Sequence, residues 1–159
     1  MGKRDPKTHE KRSPRIQRVL SFDPSELYKR TVIDPKKRTQ SIPMKELFPP
    51  LEGVCSCGCG VKLTGRRSRW ASNDCNSFAN DVWAILCGYR NTIDFYLKRL
   101  LEYKCERCEV QYDLKIDHII PVKHGGGGCW LDNFQYLCHS CHVQKTNEDF
   151  GWKGKEKSV

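Results

Sequence analysis

The spacing of the cysteines constrains this chain more than any other feature. Cys105-Glu106-Arg107-Cys108 and Cys138-His139-Ser140-Cys141 are two Cys-x-x-Cys knuckles, and two such pairs supply the four thiolates of a closed tetrahedral zinc site. A second group, Cys55-Ser56-Cys57-Gly58-Cys59-Gly60, sets three thiols close together beside glycines that permit the tight turns of a metal knuckle. Its fourth ligand is expected at Cys75. Ser72 has the signature of a helix N-cap, which puts Cys75 in the first helical turn, where the dipole favours thiolate. Which of Cys55, Cys57 and Cys59 face one ion stays open at this level. The arrangement predicts a treble-clef-like knuckle followed by a helix.

The ten cysteines are even in number, but disulfides do not account for the paired spacings and need an oxidising compartment. The basic start Met1-Gly2-Lys3-Arg4 runs into more charge and not into an apolar stretch, unlike a secretory signal. The longest nearly unbroken apolar run, Val82 to Tyr89, is far short of the ~18 residues of a membrane span. The expectation is a cytoplasmic protein with no membrane partner.

Charge is unevenly spread. The chain has 159 residues and a net charge of +9, and residues 1–50 hold 13 basic against 6 acidic side chains, whereas residues 105–159 hold 7 against 8. Attraction for a polyanion therefore comes mainly from the first hundred residues, where Lys and Arg neutralise phosphates and release counterions. Four segments follow: a basic, proline-punctuated arm over 1–50, a zinc knuckle with a helical hairpin over 51–104, a last module over 105–150 and a tail over 151–159. In the arm no apolar period survives long enough to make a buried face. Only short helical pieces are expected, at Ser25 to Arg30 and Pro43 to Phe48. The arm reads either as a solvated tail or as a nucleic-acid-binding segment.

In the second segment, Lys62, Arg66, Arg67, Arg69 and Trp70 form a basic loop with an aromatic, suited to holding phosphates and stacking on a base; the plainer reading makes Trp70 the cap of a small core. Phe78, Val82, Ile85, Leu86 and Tyr89 recur at helical spacing, and Gly88 is the expected C-terminal stop. A second helix is expected from Asn91 or Thr92, with Ile93, Tyr96, Leu97, Leu100 and Leu101 as its apolar stripe. Cys87 is assigned to the core.

The 29 residues between Cys108 and Cys138 exceed what a zinc ribbon needs, and the insert is chemically distinctive. Tyr112, Leu114 and Ile116 alternate as a half-buried strand leading into Asp117-His118, and Pro121 and Gly125 to Gly128 mark a wide turn. Cys129 is taken as packing. After Cys141, His142 to Asn147 reads as helix. Asp117 offers a hard oxygen, His142 an imidazole at a helix start and His118 a titratable nitrogen, the makings of a divalent-metal hydrolytic centre.

With Cys-x-x-Cys, Asp-His-Ile-x-Pro, a glycine-rich turn, Leu-Asp-Asn-x-Gln-x-Leu-Cys-x-x-Cys-His and a following Lys-Thr, residues 105–147 resemble the HNH (His-Asn-His, ββα-metal) nuclease family. The resemblance implies a small, zinc-stabilised α+β fold whose C-terminal ββα-metal module follows the knuckle, hairpin and arm. It implies that His118 is the general base, that Asp117 and His142 hold a catalytic Mg2+ or Mn2+, and that Asn133 holds the loop and orients His118. Cys105, Cys108, Cys138 and Cys141 would bind one structural zinc, and Cys55, Cys57, Cys59 and Cys75 a second. An imidazole, with an unperturbed pKa of about 6.5, is mostly neutral at physiological pH and accepts a proton.

The expected activity is metal-dependent hydrolysis of DNA phosphodiester bonds, leaving 5'-phosphate and 3'-hydroxyl ends. Arg66, Arg67, Arg69 and Lys145 are the candidate DNA contacts, Lys145 having a solvated helix face as its other reading. His124 and His139 are expected at the surface or behind the ligands. Where the family often has glycine after the first cysteine pair, this chain has Glu109. One site cuts one strand at a time, so cutting both calls for a homodimer or a phage or bacterial protein partner. Small free-standing members of the family are most often bacterial or from phages. The alternative is a non-catalytic, zinc-stabilised nucleic-acid-binding module that has kept the scaffold.

Overall fold

The computed structural model describes residues 13–25, 27, 42–124 and 130–151. The expected glycine turn, Cys129, most of the Ser25 to Arg30 helix and the tail after Gly151 lie outside the described residues. Among the described residues, five helices and two strands run in the order α1 Pro14–Leu20, α2 Met44–Leu47, α3 Asn73–Leu86, α4 Arg90–Leu100, β1 Leu114–His118, β2 Phe134–Cys138 and α5 His139–Phe150. Short 3-10 turns at Val122–His124 and Leu131–Asn133 lie between the strands. None of the described helices is long and apolar enough to cross a membrane.

The central hairpin follows from local sequence. Ser72 Oγ accepts the Cys75 amide at 3.1 Å and caps α3, one of the four donors a helix start leaves over. At the other end Gly88 takes a φ of 80°, its amide reaches Ile85 O and the Tyr89 amide reaches Ala84 O. This paired closure needs a left-handed residue, which glycine supplies without a Cβ clash. The turn is tight, so α4 begins at Arg90 and returns against α3, burying Ile93, Tyr96 and Leu97 on Phe78, Val82, Ile85 and Leu86. Leu100 stays exposed and Cys87 is only half-buried.

β1 and β2 form an antiparallel pair in the register Leu114↔Cys138, Ile116↔Tyr136, Asp117↔Gln135 and His118↔Phe134. The strand is shorter than its alternating pattern suggested. Tyr112 lies outside it and is 73% exposed, because Asp113, at a φ of 51°, breaks the extended run just before Leu114.

Part of the expected arm is packed. Ile16 and Val19, three positions apart on α1, are buried on α3, and Leu27, Leu47 and Phe48 enter the same core. A seven-residue helix buries only one short row, too little to register as a period. The core continues through Trp130, Leu131, Phe134 and Tyr136 of the last segment, so a single apolar cluster draws on 1–50, 51–104 and 105–150. Phe78 sits at its crossing point, edge-on to Phe22 at 5.5 Å and Phe48 at 6.3 Å. Phe22 is in turn 5.7 Å from Trp130. Phe78→Ala should therefore lower the unfolding free energy by about 3–5 kcal/mol in chemical denaturation, in one transition for the whole chain; two separated transitions would mean that the segments fold independently.

Candidate active site and metal centres

Both cysteine groups assemble. The sulfurs of Cys55, Cys57, Cys59 and Cys75, and separately of Cys105, Cys108, Cys138 and Cys141, lie within 4.8 Å of one another. Four sulfurs held about 2.3 Å from a tetrahedral zinc are about 3.8 Å apart, so both groups match a closed zinc centre. All nine described cysteines are free thiols, which removes the disulfide reading for them. The two centres share one plan, a knuckle joined to the first turn of a helix, Cys75 on α3 and Cys141 on α5.

The electrostatics of the two first-in-chain thiols agree. Burial pushes Cys55 up, but hydrogen bonds, that of the Ala71 amide the largest, outweigh it and leave the thiol at about 7. At Cys105 burial is likewise overcome, by the backbone of Cys138, Cys108 and Arg107, leaving the thiol at about 6. Burial, against the opposing pull of Arg18, pushes Cys57 up to about 12. Hydrogen bonding to Cys138 raises Cys141 to about 12. Four thiolates this close repel one another and coexist only around a cation. Arg18 of α1 donates to Cys57 Sγ at 3.3 and 3.4 Å and to Cys57 O at 3.1 Å, and stacks on Phe78 at 3.8 Å.

The knuckles differ where a left-handed residue is required. The first uses Gly58 and Gly60, at φ 85° and 77°, and the second uses Glu109 at φ 64°. There the Glu109 amide closes on Cys105 O at 2.9 Å.

Between the second centre and the hairpin lies a cleft of about 380 Å³ that brings together Asp117, His118, His142 and Lys145 with Arg90, Lys123, Thr146, Asp149 and Phe150. Asp117 Oδ1 is 3.6 Å from His142 Nε2. Two donors about 2.1–2.2 Å from one divalent ion lie about 3–3.6 Å apart, so this oxygen and nitrogen fit a shared cation with open positions left over. His118 ends β1 and leans on the Phe134 ring at 4.8 Å. Asn133 clamps the loop that follows: its Oδ1 accepts the Ile120 amide at 2.9 Å, its Nδ2 donates to Ile120 O at 3.0 Å and its carbonyl accepts the Ile119 amide at 2.9 Å.

Of the other expected residues, Lys145 also lines the cleft and the rest fall elsewhere. Lys145 is not on a solvated helix face: it is buried, with its ammonium 3.2 Å from Asp117 Oδ2 and bonded to Asp149. Arg66 and Arg67 are exposed. Arg69 is half-buried, donating to Phe48 O at 3.1 Å beside Trp70, and Trp70 packs edge-on to Phe48. His139 Nδ1 accepts from Lys115 Nζ at 3.1 Å, and His124 stacks by Phe150.

Three residues act on the cleft without having been singled out from the sequence, of which only Gln135 lies in the Leu-Asp-Asn-x-Gln motif. Arg90, at the start of α4, bonds Ile116 O at 2.6 Å and lines the same wall as Asp117. Gln135 Nε2 donates to Asp117 Oδ2 at 3.3 Å. Asp149 is four residues beyond Lys145, and that spacing was the one available signal.

Residues 105–148 match the HNH endonuclease family. Three mammalian proteins named "DNA annealing helicase and endonuclease ZRANB3" are similar to the chain: the mouse protein is 33% identical over 115 residues, 71% of this chain and 10% of its own length. The bovine protein is 48% identical over 44 residues, 28% of this chain and 4% of its own length. The human protein is 56% identical over 32 residues, 20% of this chain and 3% of its own length. The chain thus spans about a tenth or less of these relatives. Likeness to the mouse protein over 115 residues exceeds the family match and reaches segments that share its core. These relatives lend no support to the expected bacterial or phage origin. No solved structure matches the chain.

Elemental analysis of the purified protein should find two zinc ions per chain, falling to one in Cys75→Ser; one in the wild type would remove the first centre. Protons compete with the ion for the thiolates, so acidification well below the values of about 7 and about 6 that Cys55 and Cys105 have without metal should release zinc to a colorimetric chelator. Glu109→Gly, by relieving a left-handed side chain, should raise stability by up to about 1 kcal/mol, read from the denaturation midpoint.

Proposed function

We infer that this chain, which carries an HNH endonuclease domain at residues 105–148, is a metal-dependent endonuclease that hydrolyses the phosphodiester bonds of DNA. The observation that carries the reading is the approach of Asp117 Oδ1 to His142 Nε2 at 3.6 Å, with His118 in the same cleft. The DNA substrate rests on the similarity to proteins named DNA annealing helicase and endonuclease and on the net charge of +9.

Asp117 and His142 would hold the divalent ion, Mg2+ or Mn2+, which when bound neutralises charge on the attacked phosphate and on the leaving 3'-oxygen. His118 takes a proton from the attacking water as the water oxygen bonds to phosphorus. The P–O3' bond breaks, the 3'-oxygen takes up a proton from solvent, and the ends are a 5'-phosphate and a 3'-hydroxyl. Asn133 keeps the loop after His118 closed, so that the imidazole has one orientation. Arg90 reaches the cleft from outside the HNH domain and offers a guanidinium to a phosphate oxygen. Arg66 and Arg67, exposed on the loop of the first knuckle, offer separate contacts to the phosphate backbone.

Supercoiled plasmid incubated with Mg2+ or Mn2+ should be nicked by the wild type, and cleavage should stop with chelator. His118→Ala should lose at least about a hundredfold in rate, the usual worth of a general base, while keeping its zinc and its DNA affinity. A folded, zinc-loaded wild type that binds the plasmid but never cuts it would leave the non-catalytic binding module as the surviving reading.

A further inference from the structure

Among the described residues Lys145 is the one charged side chain that is buried. An ammonium removed from water requires fixed counter-charges, and it has two. Its Nζ is 3.2 Å from Asp117 Oδ2 and is bonded to the Asp149 carboxylate one turn further along α5. Gln135 Nε2 meets the same Oδ2 at 3.3 Å. The two oxygens of Asp117 are thereby unlike: Oδ2 is held by two donors, and Oδ1 faces His142 Nε2 at 3.6 Å.

We propose that Lys145 is a positioning residue that serves as an internal cation, engaging Asp117 Oδ2 and Asp149 so that a divalent ion is offered only Asp117 Oδ1 and His142. The inference rests on the reading of Asp117 and His142 as ligands of that ion. Its consequences concern charge and denticity. With Lys145 in place, the two carboxylates and the ammonium sum to one negative charge. Without it they sum to two, Asp149 is freed to compete for the cation, and Asp117 can turn both oxygens to it, an arrangement that larger ions such as Ca2+ accept readily. Lys145 therefore trades affinity for open positions, the ones that water and a phosphate oxygen need.

The test measures Mn2+ binding to the zinc-loaded full chain by the electron paramagnetic resonance of free Mn2+, with plasmid cleavage alongside. Lys145→Met should bind Mn2+ about tenfold more tightly and Asp149→Asn about tenfold more weakly, the scale of one unit charge a few ångströms away in a partly solvated cleft. The double variant should return near the wild type, and Lys145→Met should cut more slowly despite its tighter metal. A merely structural role would move both single variants the same way, and that result, or two unchanged affinities, overturns the proposal. Should Lys145→Met fail to retain its zinc and its melting transition, Asp149→Asn alone decides, tighter or unchanged binding being the contrary result. Wild-type binding that survives Asp117→Ala and His142→Ala would instead remove the underlying ligand assignment and this inference with it.

Discussion

Convergence of four sulfurs on one point, twice, is the constraint from which the rest of the molecule is arranged. Cys138 is both the last residue of β2 and the residue before α5, and across the ladder it faces Leu114, three residues before Asp117. Cys141 is the neighbour of His142. Closing the second centre therefore fixes the start of α5 against the ladder, and with it the distance between a carboxylate on a strand and an imidazole on a helix. No hydrophobic contact sets a distance so sharply, because burial rewards area and not direction. The Arg107–Glu148 pair, two contacts at 2.7 and 3.1 Å, clips the same knuckle to the far end of the same helix.

The first centre does comparable work on the other side of the core. Cys75 enters it from the first turn of α3, so its closure sets where the central helix begins. Arg18 adds a positive charge against Cys57, and a four-thiolate zinc centre carries a net charge of two negative units, which such a neighbour offsets. The same guanidinium covers Phe78, so one side chain joins α1 to both the sulfur cluster and the apolar core. A segment with the composition of a solvated tail is thus anchored by Arg18, by the pairing of Arg15 with Asp81 at 3.6 Å and by the buried Ile16, Val19, Leu27, Leu47 and Phe48.

How far the sequence carried the structure depended on whether the signal was local. Thiol spacing, the Ser72 cap, the Gly88 stop and the 3.6-residue stripe of α3 are all written within a few residues of where they act, and each stands where it was expected except Tyr89, which lies past the end of α3 and is exposed. The HNH motif belongs with them, since its Asp, His and Asn letters sit at fixed offsets from the knuckles. The docking of α1, the burial of Lys145 and the arrival of Arg90 beside Asp117 are not local. Each depends on which surfaces meet after the hairpin closes, and a lysine on a helix with an acidic residue four positions on has the same sequence whether that face meets water or a carboxylate from another element. Trp70 shows the ambiguity in miniature: a basic loop with an aromatic suits a nucleic acid, yet its ring packs against Phe48.

The HNH segment is not a self-sufficient unit laid beside the hairpin. Two strands alone are marginal in water and need a packed face. Here that face is completed by Leu131, Phe134 and Tyr136, buried in the cluster that also holds Ile93, Tyr96 and Leu97. Tyr136 crosses the junction with a hydrogen bond of 2.7 Å to Asp94 of α4, and Asp94 is also paired with Lys98 at 2.7 Å. Burial and the Asp94 carboxylate both push the Tyr136 hydroxyl well above its ordinary range, so it stays a neutral donor across the physiological span and the link does not loosen with pH. One turn before Asp94, Arg90 holds the carbonyl of Ile116, the residue next to Asp117. The helix that buries the back of the sheet therefore also grips the strand from which the carboxylate projects, and the geometry of the cleft is set by the packed chain as a whole.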